Sequence, residues 1–147
     1  MTYVHKDGIL LSYVKKIEKG LKMKIAIPVK TSNDDPAVSP LFGKAKFFAF
    51  VDGDKISIEK NEEQSGSAIV GKFIDKGIET VVVQHLGYSP FEMLQEAKID
   101  VFYAGEGRVL LSEVLERFKK GELKSVDESN IENLVKHRNE KNRKHHS

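Results

Sequence analysis

The chain has 147 residues, 39% apolar and 31% charged, and no cysteine; this suits one domain with a modest core and excludes disulfides, thiolate-held zinc and a cysteine-ligated iron–sulfur cluster. No apolar run approaches the roughly 18–20 residues of a membrane span, and the lysines among residues 1–22 argue against a secretory signal, so a cytoplasmic setting is expected. The net charge of +2 hides basic ends around an acidic centre (13 basic and 16 acidic side chains in residues 23–123), so the core lacks the basic stripe of a nucleic-acid reader.

In chain order, Ile9, Leu10, Tyr13, Val14, Ile17 and Leu21 fall at helical spacing with lysines opposite them, which predicts a short amphipathic N-terminal extension over residues 1–22. It would dock on the domain or on a second subunit. A non-native extension is the other reading, because Met23 before a clean strand looks like a chain start. Lys24–Val29 reads as a buried strand whose ladder stops near Pro28. The next thirteen residues, Lys30 to Phe42, form a long connection rich in Ser, Asn, Asp and Pro, more often functional than not at that length.

Lys46–Val51 and Lys55–Lys60 flank Asp52-Gly53-Asp54, a hairpin signal, and the alternation of Ile56 and Ile58 with polar residues puts the second strand at a sheet edge. Helix and strand then alternate. A helix from Ala68 to Lys76 stops at Gly77, and Thr80–Val83 is a buried strand. Ser89-Pro90-Phe91-Glu92 reads as a capping box opening a second helix. Val101–Tyr103 is a further strand, and a last helix runs from Gly107 to Lys120. This order predicts an α/β domain over residues 23–123, with a mixed sheet of about five strands and helices on both faces. Residues 124–147 read as a polar, disordered tail, although Ile131, Leu134 and Val135 suffice for a turn or two of helix.

Ligands of open α/β sheets bind beyond the carboxyl ends of the parallel strands. Lys30–Phe42, Gln84–Ser89 and Ala104–Gly107 emerge there. Gly87, Gly105 and Gly107 would let backbone approach a ligand, and helix N-termini at Ser89 and Gly107 would favour an anion. His85, between a buried strand and Gly87, is expected at the cleft mouth, as a candidate metal ligand or as a packed strand-end histidine. Catalytic constellations are thin: there is no G-x-S-x-G elbow, no P-loop and no complete G-x-G-x-x-G. Adjacent Asp34 and Asp35 read as solvated acids.

Taken together, Lys24–Val29, the run Val38-Ser39-Pro40-Leu41-Phe42-Gly43-Lys44-Ala45-Lys46-Phe47-Phe48, the hairpin, Val81–Val83 with Gly87, and Gly105-Glu106-Gly107 resemble one family. It is the dinitrogenase iron–molybdenum cofactor biosynthesis family, which includes NifX, NafY and the C-terminal domain of NifB. The resemblance covers about 100 residues and is most specific in the S-P-x-F-G-x-A-x-x-F segment. It implies a three-layer ribonuclease H-like fold and a non-catalytic role: holding an iron–sulfur-based, iron–molybdenum-type cofactor or a precursor, with metal-cluster assembly proteins as partners. On this reading Ser39, Leu41, Phe42, Gly43, Lys44, His85, Gly87, Gly105 and Gly107 form the cofactor site, with His85 the metal ligand. Members more usually read His-Phe-Gly where this chain has Leu41-Phe42-Gly43, and often carry His-Gly where it has Ser65-Gly66. The alternative is a regulatory or protein-interaction module that kept the fold without metal. A nuclease on the same fold needs converging carboxylates, and Lys24–Val29 offers none.

Overall fold

The computed structural model describes residues 23–135; the N-terminal amphipathic stretch and residues 136–147 lie outside the described residues. Six strands form one sheet in the order β3-β2-β1-β4-β5-β6. They are β1 (Lys24–Val29), β2 (Phe47–Asp52), β3 (Lys55–Lys60), β4 (Thr80–Val83), β5 (Asp100–Tyr103) and β6 (Lys124–Ser125). β1, β4 and β5 are parallel, and the hairpin strands β2 and β3 run antiparallel to their neighbours. The sheet is therefore mixed, as the sequence predicts, with one strand more than expected. That strand is β6, whose two residues pair with Phe102 and Tyr103. Charged and polar, Lys124-Ser125 carries no strand pattern of its own.

Among the described residues, α1 (Gly66–Lys76), α2 (Tyr88–Glu96) and α3 (Leu111–Lys119) cover the sheet. Strand alternation decides which core each side chain joins. Ala26, Phe48, Val81, Val83 and Val101 point to one face, where Ile69, Val70 and Phe73 of α1 and Phe91 and Leu94 of α2 cover them. Ile25, Ile27, Val29, Ala49, Val51 and Val82 point to the other, under Leu111 and Val114 of α3. At β3, Ile56 remains 51% exposed, in keeping with an edge strand.

At α1 the expected stop at Gly77 is observed, at φ 74°, but the helix opens at Gly66, two residues before the expected Ala68, capped by Ser65, whose Oγ accepts from Ala68 N–H at 3.2 Å. The other helices also start elsewhere than expected. α2 starts at Tyr88 with Gly87 as its cap, so Ser89-Pro90 lies inside the first turn, and no side chain caps the end. α3 starts at Leu111 rather than Gly107, because Leu110 is drawn into a β-bridge with Ala37. Residues 124–135, expected to be mostly tail, are ordered: Val126, Ile131 and Leu134 are buried, and residues 131–135 are helical.

Candidate functional site

β1 and β4 pair only at Ile25 and Ala26, and the ladder ends before Pro28, which has no N–H to give. The connection after β1 takes over its free edge. Ser39 N–H donates to the Pro28 carbonyl at 2.8 Å, and Val38 bridges Val29. Val38 N–H then donates to the Val109 carbonyl at 2.8 Å, and Leu111 N–H to that of Pro36 at 2.9 Å. Asp35 completes the closure. Its carboxylate accepts from Ser112 N–H at 2.9 Å and Ser112 Oγ–H at 2.6 Å, while Glu113 accepts from Leu110 N–H at 3.1 Å. The α3 N-terminus thus has two carboxylates of the chain itself on its first-turn donors, which makes it a poor seat for an external anion.

The Ser39–Lys44 segment goes the other way, towards α1 and α2. Ser39 is buried, and its Oγ lies 3.3 Å from both the N and the O of Leu41. Phe42 is 3% exposed, and its ring meets those of Phe48 and Phe73 edge-on at 5.7 and 5.9 Å. Phe42 thereby anchors the loop as a core residue, and only its backbone faces the edge. Gly43 lies against the backbone of Gly66, and Gly66 against the Pro90 ring. Leu41 is 42% exposed and Lys44 is exposed.

A second group gathers at the ends of β4 and β5. Strand parity puts Gln84 on the same face as Val82, and it is 5% exposed, so its amide needs partners. Gln84 Nε2 donates to the carbonyls of Gly105 and Gly107, each at 2.8 Å. Both glycines have left-handed φ angles, 100° and 75°, which let the β5–α3 loop turn those carbonyls inward. His85 is half-buried and lines a cavity of about 390 Å³ with Gln84, Tyr103, Glu106, Lys124, Asn133 and their neighbours. Its Nδ1 lies 3.4 Å from the Leu134 carbonyl. Burial, and then the Glu106 carboxylate, push the Tyr103 hydroxyl above the usual tyrosine range.

The predicted residues therefore fall into two clusters. Ser39 to Lys44 sits by the N-terminus of α1, and His85, Gly105 and Gly107 sit with Gln84 at the ends of β4 and β5; Leu41 does not line the His85 cavity. Sequence reasoning passed over Gln84, Tyr103 and Asn133. Gln84, a polar residue closing an all-apolar strand, carried a readable signal; Asn133, in a supposed tail, carried none. A wider groove of about 750 Å³ runs along α2, but Glu92, Glu96 and Glu128 give it the wrong charge for an anion.

Among the described residues no three His, Cys, Asp or Glu side chains stand together as a metal-ion site. His85 is the one histidine in that range. Such a donor set does not fit a bare metal ion or a cluster assembled on protein ligands. It does fit a preformed cluster that brings its own bridging and capping atoms and takes a single imidazole.

Residues 23–121 match the family described as dinitrogenase iron–molybdenum cofactor. An uncharacterized protein of Methanocaldococcus jannaschii is 26% identical over 122 residues, which cover 76% of this chain and 98% of that one. The apo form of the orange protein from Desulfovibrio gigas superposes with a TM-score of 0.63 at 22% identity, over 71% of this chain and 93% of that one. A Thermotoga protein assigned provisionally to NifB gives 0.60 at 23% identity, over 70% and 92%. At those identities the structural likeness establishes the fold. No helix among the described residues is long and apolar enough to cross a membrane.

Proposed function

The chain belongs to the dinitrogenase iron–molybdenum cofactor family, and on that premise we propose that it holds a preformed, anionic metal–sulfur cofactor or precursor and passes it on without covalent chemistry of its own. The observation that carries this reading is His85 on the lining of a cavity at the carboxyl ends of β4 and β5, where ligands of open α/β sheets bind. Imidazole is the side-chain ligand. Ser39, Leu41, Gly43 and Lys44, anchored by Phe42 beside the α1 N-terminus, form a second candidate contact region apart from that cavity, and Gly105 and Gly107 shape the wall that Gln84 holds. The cargo comes from and goes to cluster-assembly proteins in the cytoplasm.

A second reading, an interaction module without metal, draws on two positions. Leu41 exposes an alkyl side chain where relatives of this type more usually carry histidine, and Ser65 spends its hydroxyl on capping α1. One experiment separates the two. The chain is incubated anaerobically with a synthetic thiolate-capped iron–sulfur cluster and desalted, and visible absorption and bound iron are measured. The carrier reading expects coloured protein, with retention falling at least about tenfold in His85→Ala, on the scale of losses at metal-site residues. Colourless wild type sinks the carrier reading and leaves the module.

A further inference from the structure

The family match ends at residue 121, yet the chain continues through an ordered stretch that closes over the His85 cavity. Residues 124–135 are held in three ways. Lys124 and Ser125 pair with β5, and Val126 N–H donates to the Val101 carbonyl at 2.8 Å. Asn130 locks the following turn: its Oδ1 accepts from Asp127 N–H and its Nδ2 donates to the Ser125 carbonyl, both at 2.8 Å. Val126, Ile131 and Leu134 then enter the core beneath α1 and α2. This stretch supplies six of the ten residues that line the cavity: Lys124, Ser125, Val126, Asn130, Asn133 and Leu134.

The geometry points to residues 124–135 as a working wall of the binding site, whose Leu134 carbonyl sets the tautomer and aim of His85. A carbonyl oxygen has no proton to give, so its contact with Nδ1 is a hydrogen bond only when Nδ1 carries the proton. The ring lone pair is then on Nε2, the arrangement in which a metal-binding histidine is held by a backbone carbonyl behind it. At 3.4 Å the contact is longer than an ordinary N–H···O hydrogen bond. It survives only while the helical turn at 131–135 stays seated, so the seating of Ile131 and the Asn130 lock control His85 from outside the family's common core. Leu134 is a positioning residue here. Its consequence for cofactor binding rests on the carrier reading, whereas its effect on the imidazole does not.

The test uses the full chain with ¹⁵N-labelled histidine, at alkaline pH and with no cofactor added. His85→Ala identifies the resonances. The expected result is His85 predominantly as the Nδ1–H tautomer in wild type, with that preference weakened in Ile131→Ala and kept in Ile131→Val. Asn130→Ala, which leaves the core intact and removes both side-chain bonds of the lock, gives the same weakening should Ile131→Ala fail to fold. Wild-type His85 in the Nε2–H form overturns the inference, as does a ratio unchanged in whichever variant folds. Cluster retention that is equal in wild type and His85→Ala would sink the carrier reading and leave the tautomer result standing.

Discussion

Tyr103 and Glu106 share the cavity with His85, and their coupling has a sign that solution measurements read directly. Burial of the phenol and then the negative charge of Glu106 both disfavour the phenolate, so the folded state holds the Tyr103 proton more tightly than the unfolded chain does. The associated stability is fully present below the ordinary tyrosine range and is lost as pH rises through the higher folded value. Tyr103→Phe is therefore expected to lose less stability than wild type across that alkaline interval, as read by denaturant melts at stepped pH. In Glu106→Gln, ultraviolet titration should show the Tyr103 transition moving down towards the ordinary range but not reaching it, since burial is the larger cause. Asp127 has the opposite sign. Hydrogen bonds from Ser129 hold its carboxyl below the usual range, so its contribution to the turn before residues 131–135 is present at neutral pH and lost as acid protonates it.

At the scale of elements, the most informative case is α3. The sequence predicts its helical face correctly in Val114, Leu115 and Phe118, but places its start at Gly107, four residues early. Periodicity reports which residues can face a core; it is blind to a partner 77 residues away. Here the partner is Asp35, one of the acids that reads as merely solvated, and it caps the helix from across the domain. Asp35→Ala is expected to cost about 1 kcal/mol, the usual loss for a helix N-cap, with a smaller effect for Asp34→Ala; urea midpoints decide. The same blindness affected the long connection after β1. Its composition reads as an open binding loop, whereas half of it pairs with β1 and with the residues before α3, and Phe42 is buried against Phe48 and Phe73. Phe42→Ala, a large truncation in a packed aromatic cluster, should cost about 3–5 kcal/mol. A loss well below that range would restore the ring as a candidate ligand contact rather than an anchor.

For the molecule as a whole, the succession of strands and helices along the chain, the hairpin, the edge position of β3 and the helices on both faces were legible because each rests on local alternation or a turn signal. The end of the domain was not. Val126, Ile131 and Leu134 are three apolar residues spread through a polar stretch, too few for a periodic pattern, yet each is at least nine-tenths buried in the core shared by α1 and α2. Burial of isolated side chains depends on where the chain returns, and β6 brings it back across the ends of β4 and β5. Buried core residues therefore continue past residue 123 as far as Leu134, and this carries an energetic consequence. A disordered tail would tolerate truncation of any side chain within about 0.5 kcal/mol. A core leucine costs about 2–5 kcal/mol when cut to alanine, and Leu134, at 7% exposure, belongs near the lower end. Leu134→Ala should thus shift the urea midpoint of the whole domain in one cooperative transition with an unchanged slope, as the loss of a core contact does. A separate early transition, or no shift, would show that residues 124–135 are an appendage, and the wall of the His85 cavity would then open independently of the fold.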